Sequence, residues 1–123
     1  MSNPVVTVAN HAGIDIFIGG NPNWDDQRVL FNGRHKGRYK LTPGKSIKVS
    51  VKWNQPAADE MMGLDFAQTE IYGDPSFYVA VGQDQTGNLA ITDAHQFGEL
   101  LIQYTVSDQA PWSMTMTLTD ATG

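Results

Sequence analysis

Apolar positions along this chain recur chiefly with a period of two. Val6 and Val8 alternate with Thr7 and Ala9, and Ile14, Ile16 and Ile18 alternate with Asp15 and Phe17. Asn10-His11-Ala12-Gly13 supplies turn residues between these runs, so the opening reads as a β-hairpin. After a polar loop, a short strand around Val29 to Phe31 ends at the turn signal Asn32-Gly33. Arg38-Tyr39-Lys40-Leu41 and Ile47 to Trp53 read as two more strands joined by Thr42-Pro43-Gly44-Lys45. Pro then Gly suits a type II turn, because Gly accepts the positive φ at its third position. Further strands are predicted near Leu64 to Tyr72, Phe77 to Val81, Leu89 to Thr92 and Glu99 to Val106. In the last strand Trp112, Met114, Met116 and Leu118 share one face, and Ser113, Thr115, Thr117 and Thr119 the other.

Pro56 to Gly63 is the single helix candidate, with Pro near its start, acids in its first turn and Gly at its stop. About nine or ten short strands and at most one short helix predict an all-β fold, an antiparallel sandwich. With 123 residues, the chain is expected to form one domain.

Composition narrows the chemistry. There is no cysteine, which removes disulfides and thiolate metal sites. The start, MSNPVVTVANHAG, lacks a basic region followed by a long apolar run, so we expect synthesis in the cytoplasm without a signal peptide, and any release by an unconventional route. No stretch approaches the ~18 apolar residues that span a bilayer as a helix. His11, His35 and His95 show no metal-binding spacing, and no nucleophile elbow, P-loop or dinucleotide fingerprint occurs. No catalytic residue, metal or cofactor is therefore assigned, and the expectation is a non-enzymatic binding module.

Charge adds the strongest asymmetry. All eight Lys and Arg residues lie between Arg28 and Lys52, a stretch without acids, while the thirteen carboxylates fall outside it, for a formal net charge of −5. Strand parity puts Lys36, Arg38, Lys40, Lys48 and Lys52 opposite the apolar positions, as an outward cationic stripe. Paired as a simple hairpin, these strands would oppose like charges at a cost of roughly 0.2–1 kcal/mol each. Either the strands belong to different sheets, or an anion lies across them. Exposed pairing with the chain's own acids would make the stripe merely structural. A free stripe would suit an anionic membrane surface or sulfated glycan, whereas the acidic remainder disfavours nucleic acid.

Aromatic turns give the other candidates. Trp24 stands beside Asp25 and Asp26, Tyr72 and Asp74 precede Phe77, and Trp112 follows a Gln-Ala-Pro turn. An aromatic face beside carboxylates and amides is chemistry for holding a sugar or entering a bilayer interface. Ordinary turn chemistry is the plainer account of the Trp24 loop, with Trp24 capping the end of the sandwich.

The opening VVTVANHAGIDIFIG and the turn IYGDPSFY resemble the first hairpin and the Tyr-aromatic-Asp-x-Pro-aromatic turn of the aegerolysins, small acidic β-sandwich proteins. Gly73 replaces that family's aromatic, and Pro75 follows Asp74 directly. The resemblance implies membrane-lipid binding, often within a two-protein cytolysin or insecticidal pair. It also implies Tyr72, Asp74 and Phe77, with Trp24 and Trp112, as lipid-facing residues. Alternatives are a soluble lectin using Trp24 with Asp25, Asp26 and Asn23, and a self-assembling protein whose basic face meets the acidic face of another copy.

Overall fold

The computed structural model describes residues 5–20, 29–35, 38–51, 62–67, 77–83, 86–96 and 102–120. Among them the chain forms eleven strands and no helix: β1 (Val5–Asn10), β2 (Ile16–Gly20), β3 (Val29–Phe31), β4 (Arg34–His35), β5 (Arg38–Leu41), β6 (Ser46–Val51), β7 (Met62–Ala67), β8 (Phe77–Gln83), β9 (Leu89–Gln96), β10 (Ile102–Ala110) and β11 (Ser113–Asp120). One sheet runs β10-β11-β1-β6-β3-β4 and the other β5-β2-β7-β8-β9. The predicted sandwich is thus the fold. All pairings are antiparallel save one, since β1 runs parallel to β11. Met62 and Gly63, from the helix candidate, begin β7, and the rest of that candidate lies outside the described residues.

Period-two alternation selects the core. Val6, Val8, Ile47, Val49, Met114, Met116 and Leu118 from one sheet meet Ile16, Ile18, Leu41, Leu64, Phe66, Phe77, Val79 and Val81 from the other. Truncating one of these large aliphatics to Ala would cost about 2–5 kcal/mol through lost transfer energy and a residual cavity.

Two predicted hairpins are instead arches between the sheets. β1 is bonded on one side to β6 and on the other to β11, so neither edge is open to β2, which pairs with β5 and β7. Residues 11–15 therefore carry the chain from one sheet to the other, where Gly13 N–H donates to both carboxylate oxygens of Asp120 at 3.3 Å. β5 and β6 are likewise in different sheets. Their connection keeps the expected turn, with Gly44 at φ 81° and Lys45 N–H donating to Thr42 O at 3.2 Å.

Asn10 ties the two arches together. Its fully buried amide donates to Ile14 O and Leu41 O, both at 2.9 Å, while its Oδ1 accepts from Ala12 N–H at 2.9 Å. Its backbone N–H donates to Lys45 O at 2.9 Å and its carbonyl accepts from Gly44 N–H at 2.8 Å.

A second clamp joins the sheets at the far end of β1. Trp112 N–H donates to Gly87 O at 2.8 Å, and Val5 N–H donates to Trp112 O at 3.0 Å. An isolated bridge links Asn88 to Pro111 beside them. Trp112 sits at φ 65°, a left-handed conformation rare for a bulky residue. Its partly buried ring packs against the core.

Candidate functional site

The arches correct the cationic stripe. Alternation holds on both strands: Leu41, Ile47 and Val49 are buried while Lys40 and Lys48 are exposed. Since β5 and β6 belong to different sheets, however, Lys40 and Lys48 stand on opposite outer faces of the sandwich. The like-charge cost of a hairpin is avoided by separating the strands. Lys40 Nζ lies 3.6 Å from Asp15 Oδ2, with both side chains exposed, so this pair contributes below about 1 kcal/mol. Lys36 and Lys52 lie outside the described residues.

The aromatic candidates also separate. Phe77 is 3% exposed and stacks on Phe66 at 4.7 Å and on Tyr104, across the two sheets, at 5.7 Å. It is core, and its assignment to a lipid-facing turn is overturned by that burial. Trp112 packs at the turn joining β10 and β11, next to the β8–β9 turn residue Gly87, whereas Phe77 opens β8. At about 3.3 Å per residue the length of β8 puts these two aromatics roughly 20 Å apart, so they share no platform. Trp24, Asp25, Asp26, Tyr72 and Asp74 lie outside the described residues.

The structure assembles a different group on the outer face of the five-stranded sheet. Arg38 is opposite Gly19, Gly19 opposite Asp65, Asp65 opposite Tyr78, and Tyr78 opposite His95. One transverse row thus crosses all five strands. Tyr78 and His95 stack with ring centroids 5.8 Å apart and planes inclined by 22°. Tyr78 Oη donates to Asp93 Oδ2 at 3.3 Å, and Asp93 Oδ1 accepts from Ala94 N–H at 3.0 Å, so both carboxylate oxygens are engaged. The phenol is held above its ordinary 10.0, first by desolvation, then by the charge and hydrogen bond of Asp93, and lastly by the charge of Asp65.

Part of this face is shielded. Asp65 is 9% exposed, and Ala67 and Ala80 are 0% exposed although neither joins the core between the sheets. Tyr78 is half-buried, while Asp93 and His95 are exposed on the edge strand β9. The accessible surface therefore presents an aromatic pair and one carboxylate, backed by the charge of Asp65. Such a surface can stack on an apolar ring or alkyl face, accept hydrogen bonds, and attract a cation. Among the described residues no three His, Asp or Glu side chains gather closely enough to hold a metal.

From sequence, Asp93 and His95 read only as a local loop pair, and Tyr78 and Asp65 are not joined to them, because the predicted strand ends at Thr92. That boundary left Asp93 and His95 in a turn, whereas β9 continues to Gln96. Once strand continues, a spacing of two places both residues on one face. No protein-family model and no curated protein matches the chain.

Proposed function

We propose that this protein is a non-enzymatic binding module that docks on membrane lipid, seating a cationic amine headgroup against Tyr78, Asp93 and His95. One observation carries the reading: the phenol of Tyr78 is bonded to Asp93, stacked on His95 and flanked by the largely buried Asp65. Two carboxylates beside an aromatic face favour a cation by charge and by the ring quadrupole, about 0.5–2 kcal/mol for the latter. The same carboxylates repel a phosphate or sulfate, so the amine end of a zwitterionic headgroup would lead. This reading keeps the lipid-binding expectation of the aegerolysin resemblance while moving the seat away from the aromatic turns.

Sedimentation with vesicles tests it. Binding to vesicles containing ethanolamine or choline headgroups, lost in Asp93→Asn and Tyr78→Ala, is the expected result. Equal sedimentation of the native chain with and without such headgroups would sink it. A neutral sugar is the second reading, favoured by the near-parallel Tyr78 and His95 rings beside an accepting carboxylate. A glycan array giving signal that vanishes in Tyr78→Ala, without vesicle binding, would select the lectin.

A further inference from the structure

Two open sheets have four edge strands, and the described residues place β10 and β4 at the edges of one and β5 and β9 at the edges of the other. An edge strand presents unpaired N–H and C=O groups that can template another chain, so edges are normally kept short, charged, bent or covered. Three of these four follow that rule. β4 has only two residues, Arg34 and His35. β5 carries Arg38 and Lys40 within four residues. β9 carries Asp93 and His95, and it is bent where Thr92 is inserted between the pairs Ala80–Asp93 and Val81–Ile91.

β10 follows the rule only beyond Ser107, where its register with β11 shifts and Asp108 stands. From Ile102 to Ser107 it has no charge and no proline, and its register with β11 is regular until the shift after Ser107. Tyr104, Thr105 and Val106 are strong strand formers. The neighbouring outer face is also free of charge, with Gln103, Thr105 and Ser107 beside Thr119, Thr117 and Thr115, and then Thr7. In a chain of net charge −5, two copies repel each other least where carboxylates are absent.

We propose that β10 is a docking edge for a second copy of this chain, the two β10 strands pairing antiparallel about a two-fold axis at Thr105. Antiparallel self-pairing is the isologous arrangement, and it closes after two copies. With Thr105 opposite Thr105, Tyr104 faces Val106 and Gln103 faces Ser107. Inner residues meet inner and outer meet outer, and the aromatic–β-branched and Thr–Thr pairs are favourable ones. A slip of one residue would set Tyr104 against an outer-face residue, so the pattern disfavours it. Tyr104 and Val106, partly buried at the margin of the core, would gain cover.

A single engineered thiol tests the register, because the chain has no cysteine of its own. In the proposed pair the two position-105 Cα atoms would be about 4.5–5.5 Å apart, inside the range a disulfide spans. In a glutathione redox buffer Thr105→Cys should cross-link to a covalent dimer, while Ser46→Cys, exposed on the same sheet but three strands away, should stay monomeric. Sedimentation velocity of the native chain should show a concentration-dependent dimer. Thr105→Lys should be monomeric throughout, with a Tm that does not change with concentration and equals that of the native chain at dilutions where the native chain is monomeric, since the side chain is exposed in the single copy. A native chain that is monomeric across its soluble range, or a Thr105→Cys that cross-links no faster than Ser46→Cys, would overturn the proposal. So would open-ended fibres that bind thioflavin, which a two-fold pair does not form.

Discussion

The side-chain amide of Asn10 donates to the backbone carbonyl of Leu41, 31 residues away, at 2.9 Å in the buried interior. The donor is on the last residue of β1 and the acceptor on the last residue of β5, strands of different sheets. This bond and the one to Ile14 hold both arches at a fixed separation. A buried carbonyl without a donor costs about 1–3 kcal/mol.

Asn10→Ala removes two donors and one acceptor at once, so it should destabilise the fold by about 3–5 kcal/mol. For a chain of this size the fall in Tm is roughly 10–20 °C. Asn10→Asp keeps the shape and the acceptor to Ala12 but loses both donors, so it should recover little of that loss near neutral pH. Thermal unfolding followed by circular dichroism checks both. If Asn10→Asp were as stable as the native chain, the carbonyl bonds would not be what holds the arches.

Gly82 and Thr92 face each other at the β9 bulge. A Cβ built on Gly82 would lie 2.7 Å from Thr92 Cγ2, and Thr92 Oγ1 donates to Ala80 O at 3.2 Å, which restricts rotation away. Gly82→Ala should therefore cost about 1–3 kcal/mol by overpacking. Thr92→Ser keeps the hydroxyl and deletes the obstructing methyl, so Gly82→Ala with Thr92→Ser should recover most of the loss. A double-mutant cycle in urea measures it, and purely additive effects would contradict the contact.

Where the sequence was legible, the reason is visible in the same residues. Val6, Val8, Met114, Met116 and Leu118 are buried because side-chain direction in a strand depends only on local parity. Partner choice does not. The apolar pattern around 10–13 is equally compatible with a hairpin or an arch, and what selects the arch is that β6 and β11 occupy both edges of β1. The same long-range pairing put Lys40 and Lys48 on two faces, although they belong to one contiguous basic tract and each is exposed as its strand parity requires. For the candidate site the decisive facts are register facts, Asp65 opposite Tyr78 and Tyr78 opposite His95, which join residues from three separate strands. Nothing local encodes them.

The split of the basic tract predicts that Lys40 and Lys48 act independently. Lys40→Ala should lower stability by less than about 1 kcal/mol, because its partner Asp15 is exposed and solvent screens the pair. That small effect should shrink further in high salt, as surface pairs are screened beyond about 10 Å at 0.1 M. Asp15→Ala should behave the same way, and the double variant should match either single. Urea titrations at two salt concentrations decide the matter. A loss that grows with salt would exclude a surface pair.

Tyr78 supplies a test of the candidate site that needs no ligand. Its phenol is held above 10.0 in the folded chain by desolvation, by Asp93 and by Asp65, so the folded state binds this proton more tightly than the unfolded state does. The resulting stability is fully present below the unfolded value near 10 and is lost as pH rises through the raised folded value. Deleting the charge while leaving one acceptor oxygen in place of two, Asp93→Asn should move the Tyr78 titration down toward 10.0. It should also weaken the dependence of stability on alkaline pH. Tyrosinate absorbance followed through the alkaline range reads the shift, and subtracting the curve of Tyr78→Phe isolates this phenol from Tyr39, Tyr72 and Tyr104. If the difference curve of Asp93→Asn coincided with that of the native chain, Asp93 would not be paired with Tyr78 in solution, and the amine seat built on that pair would lose its anchor.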